Sequence, residues 1–171
     1  RAILVAEPLT PAVRNEIAAG LQVSLSTAYG ITEVLGPGLA FSCPENAGLH
    51  FSADHFLPEI VDPDNGAPCD LGVPGELVIT TLSTTAFPLV RFRTGDITSL
   101  QADACPCGCP LIRLGEIVGR CDRIFSVGGI KIHPDQVGSA IQEIFSGHTP
   151  RHRLRLGQDA GLTYLDIEIQ M

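Results

Sequence analysis

The pentapeptide Tyr29-Gly30-Ile31-Thr32-Glu33 decides how the fold is read, through what stands before and after it. Ala2–Val5 is a short apolar strand candidate. Thr10 is placed to cap a helix, Pro11 suits the first helical position and Gly20 can end it. Gln22–Ser26 reads as a second strand. Strand, helix and strand in this order imply a parallel pair. Residues 29–33 then fall just beyond a strand's carboxyl end, where open α/β sheets place ligands.

From Gly38 onward the pattern changes to short strands separated by turns. Phe56–Val61, Glu76–Leu82, Leu89–Arg93 and Leu111–Val118 are the candidates, and Asp62-Pro63-Asp64-Asn65-Gly66 is a turn signal between the first two. This section is expected to be a small, strongly bent sheet or barrel. After Gly119, Ile124–Val127 and Ile130–Ile132 flank Gly128-Gly129 as a hairpin. Pro134 starts a helix with Val137, Ile141, Ile144 and Phe145 on one face. Arg153–Leu156 and Leu162–Ile169 read as two strands around residues 157–161, and a domain boundary is expected at Arg120–Asp122.

Bulk properties exclude several classes. A length of 171 residues allows one ordinary domain, or a modest domain plus an appendage. A net charge of −8 and a pI near 4.9 argue against a nucleic-acid surface. The basic cluster Arg151, His152, Arg153 and Arg155 alternates like a solvated strand face. No apolar run approaches the ~18 residues of a membrane span, so no membrane partner is expected. The start at Arg1 and the end at Met171, straight after an alternating apolar stretch, read as an excised piece of a longer chain. Six cysteines without a leader segment favour a reduced, cytoplasmic setting. Cys105, Cys107 and Cys109, two apart around a Pro/Gly turn, suit a metal better than one another. Cys69 and Cys121 have no partner that spacing suggests. A cysteine hydrolase needs one activated thiol beside a base, and nothing singles one out, nor is there a nucleophile elbow.

Three further motifs follow the pentapeptide: Arg93-Thr94-Gly95-Asp96, Gly119-Arg120-Cys121-Asp122 and Gly128-Gly129. Each alone is compatible with an ordinary loop or turn. In this order and at these separations the set resembles the C-terminal half of the nucleotide site of adenylate-forming enzymes. The segment Ala6-Glu7-Pro8 is similar to one lining the adenine pocket there, with Val5 where that superfamily usually has Gly. The resemblance implies that Tyr29 packs on adenine beside Gly30, that Thr32 bonds the α-phosphate and that Glu33 holds Mg²⁺. It implies Asp96 on the ribose hydroxyls and Arg120 near the ribose or phosphates, so that Thr32, Glu33 and Arg120 are the candidate catalytic set. Asp122 matches a hinge position, followed by Arg123 where a second acidic residue is common. Gly128 and Gly129 resemble the loop that forms the coenzyme A channel. Lys131 and His133 are more simply exposed turn residues.

Cys105-Pro106-Cys107-Gly108, with Cys43 and Gly48-Leu49-His50 upstream, narrows the resemblance to the phenylacetate–CoA ligase family. It implies a closed structural Zn²⁺ site of Cys43, His50, Cys105 and Cys107, which would tie two loops together through metal-coupled folding. Cys109 and His55 are competing ligands.

Implied by the resemblance is an α/β and β fold. Residues 1–120 would end a large adenylate-forming domain, with 1–37 an α/β nucleotide-site piece and 38–119 a β-rich subdomain carrying the zinc. Residues 121–171 would begin a small, mobile α+β C-terminal domain. The implied function is ATP-dependent joining of an aryl acid such as phenylacetate to coenzyme A, through an acyl-adenylate and then a thioester, in a parent protein open to homodimer assembly. The phosphate loop and late catalytic Lys of such ligases are not among these residues, so the isolated chain is expected to have negligible ligase activity. Two alternatives stand: an adenylating enzyme with another acceptor, such as a deazaflavin-cofactor or acyl-protein synthetase, or a zinc-stabilised module without chemistry.

Overall fold

The computed structural model describes residues 1–5, 11–34, 36–45, 47–101, 103–145, 150–159 and 161–170. Thr10, expected to cap the first helix, lies outside them, as do Ala6, Glu7 and Pro8. The chain is mostly sheet with two helices, and by proximity it divides into Arg1–Ile117 and Val118–Met171.

In the first unit β1 (Ala2–Leu4) pairs in parallel with β2 (Leu25–Tyr29), and α1 (Pro11–Leu21) connects them. The guanidinium of Arg14 pins helix to strand, donating to Thr27 Oγ1 at 2.9 Å and to Leu25 O at 3.0 Å. The helix passes Gly20 and closes one residue later. Gln22 adopts φ +52°, and the N–H groups of Val23 and Gln22 return to Ala18 O and Ala19 O, the double bond of a Schellman end. Gln22 and Val23 are spent on that closure, so β2 begins at Leu25 rather than Gln22. Tyr29 thereby becomes its last residue.

A single 3₁₀ turn at Gly36–Gly38 leads into β3 (Ala40–Ser42), which runs antiparallel to β2 with Tyr29 opposite Ala40. There follow β4 (Leu49–Phe51), β5 (Phe56–Val61), β6 (Gly75–Thr81), β7 (Phe92–Thr98), β8 (Leu100–Gln101) and β9 (Arg113–Leu114). One sheet has the order β1-β2-β3-β4-β9-β8; in the other β6 lies between β5 and β7. Leu39, Ala40, Phe51 and Leu114 from the first sheet meet Phe56, Ile60, Leu77 and Ile79 from the second in one buried cluster. Phe51 and Phe56 contribute an edge-to-face pair at 6.4 Å. Each Leu, Ile or Phe among them is worth roughly 1.5–3 kcal/mol of transfer free energy.

Two expected strands are displaced. The strand expected at Leu89–Arg93 begins at Phe92, because Arg91 takes φ +48°, which breaks the extended run, and pairing continues to Thr98. Of Leu111–Val118, only Arg113–Leu114 forms a strand, shared between β4 and β8.

The second unit contains β10 (Gly119–Arg120), a 3₁₀ turn at Cys121–Arg123, β11 (Phe125–Val127), β12 (Ile130–Ile132), α2 (Pro134–Ile144), β13 (His152–Asp159) and β14 (Leu162–Ile169). Pro134 opens α2, where its missing N–H costs nothing. β13 and β14 pair from His152–Ile169 to Asp159–Leu162, so residues 157–159, expected in a loop, belong to the strand. Opposed residues share a face: Leu154, Leu156, Leu165 and Ile167 on one side, Arg153, Arg155, Asp166 and Glu168 on the other. Arg155 Nε lies 3.4 Å from Glu168 Oε1, which makes the basic alternation a charge-paired strand face. Among the described residues no helix is long and apolar enough to cross a membrane.

Candidate nucleotide site and metal cluster

Tyr29 ends β2 with its ring against the core, and its hydroxyl donates to Asp96 Oδ2 at 2.6 Å. The chain leaves the strand through Gly30, doubles back in a turn over Thr32–Val34 and returns at Gly36, whose N–H bonds Ile31 O at 3.2 Å. A Cβ on residue 30 would sit 1.3 Å from Gly36 O, so the sharp reversal requires glycine there. Thr32 and Glu33 are exposed at the tip of this turn.

Asp96 reaches Tyr29 because β7 is bulged. Ile97 pairs with Glu76 and Arg93 with Val78, leaving Thr94, Gly95 and Asp96 opposite Leu77 alone. Gly95 at φ +80° provides the left-handed step. The Asp96 N–H donates to Thr94 Oγ1 at 3.1 Å, and that hydroxyl donates to Leu77 O at 2.8 Å. Asp96 is 7 % exposed, an acceptor at the rim of the core. Thus residues from two distant motifs join into one hydrogen-bonded pair.

In the second unit Arg120 Nε and Nη2 donate to Asp122 Oδ1 at 3.0 Å and Oδ2 at 3.1 Å, a two-pronged ion pair. The hydrogen bond from Arg120 holds the Asp122 carboxyl below its usual value. Gly128 and Gly129 have φ +58° and +84° and close the β11–β12 hairpin as a two-residue turn of the primed type. Lys131 is exposed, and His133 Nδ1 is buried at the start of α2 without a partner among the described residues.

A second constellation lies beside β4. Cys43, His50, Cys105 and Cys107 place one ligand atom each within 4.8 Å of the others. Cys43 Sγ stands 3.6 Å from Cys105 Sγ and Cys107 Sγ 3.3 Å from His50 Nε2. A disulfide needs about 2.05 Å, and all six cysteines are free. Tetrahedral zinc with thiolates at about 2.3 Å spaces its donors by about 3.8 Å. His50 is wholly buried, and its Nδ1 has no partner among the described residues.

Burial works against ionising Cys43, but hydrogen bonds involving His50 and Cys105 outweigh it and bring the thiol down to about 6. The Cys109 N–H, 3.4 Å from Cys107 Sγ, favours the Cys107 thiolate. The neighbouring Cys105 and Cys43 work with desolvation the other way and push it up to about 11. The Cys43 thiolate forms readily and Cys107 resists, the pattern of like charges that a bound cation relieves. Donor types, spacing and charge therefore fit a divalent soft-ligand metal. Cys109 supplies its backbone to this group rather than its thiol. His55 points elsewhere, to Ser83 Oγ at 3.0 Å and Asp54 Oδ2 at 3.4 Å.

Two residues here were not singled out as functional from the sequence. Arg113, 7 % exposed, donates to Ala47 O and Asp103 O and so joins the loops that carry the two halves of the cluster. Glu76 lies buried under the Asp96 bulge. A lone charge inside an apolar strand was the available signal in both cases.

The fold is that of the C-terminal part of adenylate-forming acid–CoA ligases. It matches 2-hydroxyisobutyryl-CoA ligase, solved in the postadenylation state with an acyl-AMP, at TM-score 0.79 and 25 % identity over 93 % of this chain and 34 % of that one. An anthranilate–CoA ligase with anthranoyl-AMP shares the fold at TM-score 0.64 and 18 % identity over 98 % of this chain and 33 % of that one. No protein-family model matches the chain. Sequence similarity is more specific and points to phenylacetate–CoA ligases. It is 39 % identical over 174 aligned residues to phenylacetate-coenzyme A ligase of Thermus thermophilus, covering 99 % of this chain. It is 35 % identical over 167 to the same-named protein of Escherichia coli, covering 97 % of this chain. The chain spans about 38 % and 37 % of the length of these relatives.

Proposed function

We propose that this chain is the ribose-binding and hinge segment of an ATP-dependent aryl-acid–coenzyme A ligase. The observation that carries the reading is the 2.6 Å bond from Tyr29 to Asp96, which unites the two motifs assigned to adenine and ribose. In the first half-reaction a carboxylate such as phenylacetate attacks the α-phosphorus of ATP, giving acyl-adenylate and pyrophosphate. In the second, the coenzyme A thiol attacks the acyl carbon and AMP leaves.

Within this scheme Tyr29 offers an aromatic face to the base and Asp96 accepts from the ribose diol, a task suited to a charged acceptor. Thr32 and Glu33, exposed on their turn, face the α-phosphate, and Glu33 is the hard carboxylate for Mg²⁺, which supplies charge neutralisation on the phosphates when bound. Ala6, Glu7 and Pro8 line the adenine. Arg120 exchanges Asp122 for the ribose or phosphates as the backbone turns at Asp122. Gly128 and Gly129 form one side of the coenzyme A channel. Cys43, His50, Cys105 and Cys107 hold a structural zinc, with no part in the chemistry. A cytoplasmic location agrees with free thiols.

The test is coenzyme A-dependent AMP release by the full-length protein across aryl and alkyl acids. Release with phenylacetate-like acids, lost on Asp96→Ala, is the expected result. Adenylate formation indifferent to coenzyme A favours an enzyme with another acceptor. No release from folded, zinc-loaded protein favours a structural module.

A further inference from the structure

Glu76 occupies a strand whose neighbours Leu77, Val78 and Ile79 are all core residues, and it is itself only 4 % exposed. A carboxylate in such a place is costly unless it is paired and hydrogen-bonded. Its two oxygens do different work. Oε1 accepts the Gly95 N–H at 3.1 Å. Oε2 accepts Arg93 Nε at 2.7 Å and a second bond from Nη2 of the same guanidinium. Arg93 also donates to Pro63 O at 2.8 Å, which anchors it to the β5–β6 connection.

These contacts bracket the bulge. Arg93 precedes it, Gly95 is its apex, and Thr94 fastens the remaining N–H of Asp96. A regular antiparallel pairing has no use for a buried charge here, and an apolar side chain would satisfy the core. The bulge, by contrast, lifts Gly95 out of the ladder and turns its N–H toward β6, where only an acceptor side chain can meet it.

The geometry points to Glu76 as a positioning residue for the nucleotide: it clamps Thr94-Gly95-Asp96 so that the Asp96 carboxylate meets Tyr29 and is presented to a ribose diol. This rests on the reading of Asp96 as the ribose ligand and extends it to a residue that does not touch the nucleotide.

The experiment compares ATP KM, acid KM and kcat in the full-length protein for wild type, Glu76→Gln, Glu76→Asp, Asp96→Ala and the double variant Glu76→Gln/Asp96→Ala. Glu76→Gln retains an acceptor for Gly95 but sets an amide N–H against the guanidinium. ATP KM is expected to rise about tenfold, the scale of one charge-assisted bond lost, with acid KM unchanged. On the Asp96→Ala background the same change should add nothing, since nothing remains to be positioned. Glu76→Asp keeps the charge one methylene back and should fall between. An unchanged ATP KM, or an equal added loss with and without Asp96, overturns the positioning role and leaves Asp96 as ribose ligand. Asp96→Ala without effect on ATP KM overturns the ribose reading, and the positioning role with it. If Glu76→Gln yields no folded protein, Glu76→Asp decides: a selective rise in ATP KM supports the clamp, and a uniform or absent change overturns it.

Discussion

The hydroxyl of Tyr29 donates to Oδ2 of Asp96 at 2.6 Å, across 67 residues of chain and from one sheet to the other. The bond fixes both the tilt of an aromatic ring and the aim of a carboxylate.

Tyr29→Phe keeps the ring and removes only the donor. We expect ATP KM to rise about tenfold or more in the full-length protein, the scale of a hydrogen bond to a charged group, while the melting temperature stays within a few degrees. Steady-state kinetics with varied ATP reads the effect, and an unaltered KM would show that Asp96 does not depend on this donor.

The same chemical change should have opposite signs at two glycines. Gly20 lies exposed in α1 with open space around a Cβ, so Gly20→Ala is expected to stabilise by up to ~1 kcal/mol. Gly30→Ala meets a carbonyl oxygen head-on and is expected to cost about 3 kcal/mol or more. Urea denaturation of the two variants measures both.

Much of the fold was legible in the sequence, and its misreadings have physical causes. The β-α-β opening, the Gly128-Gly129 hairpin and the second helix follow from local signals. The end of α1 was missed because Gln22, not a glycine, takes the left-handed position. The start of β7 was missed for a like reason at Arg91. At Arg91 the turn is held by bonds to Thr80 and Glu59, distant in sequence, that no local pattern displays. The cluster ligands were legible as residue types, whereas Arg113 and Glu76 act through partners tens of residues away.

Cys105→Ser should lower bound zinc from about one equivalent to near none and depress the unfolding midpoint by about 5 °C or more, at least ~1 kcal/mol. Cys109→Ser, which leaves the backbone N–H to Cys107 in place, should retain the metal. Elemental analysis and thermal melts of purified protein separate the two. Equal zinc content in both variants would remove Cys105 from the ligand set.

The Arg120–Asp122 pair carries a pH signature. The hydrogen bond from Arg120 lowers the Asp122 carboxyl below its usual 3.8 in the folded chain. A depressed folded value contributes stability that is present above 3.8 and lost as pH falls through the lower folded value. Arg120→Ala should return the Asp122 titration toward 3.8, followed by carbon-13 NMR of the carboxyl. Asp122 is too exposed for a large effect on stability.

The thiol–imidazole cluster joins Cys43 to Cys105 across 62 positions, and strands β5, β6 and β7 lie wholly inside that span. During synthesis the clasp cannot close until Cys105 and Cys107 have left the ribosome. By then the enclosed hairpins, whose partners are near neighbours in sequence, have had time to form. The order of translation thus makes the cluster a late clasp around three strands free to pair before it closes, and around the Thr94-Gly95-Asp96 bulge they carry.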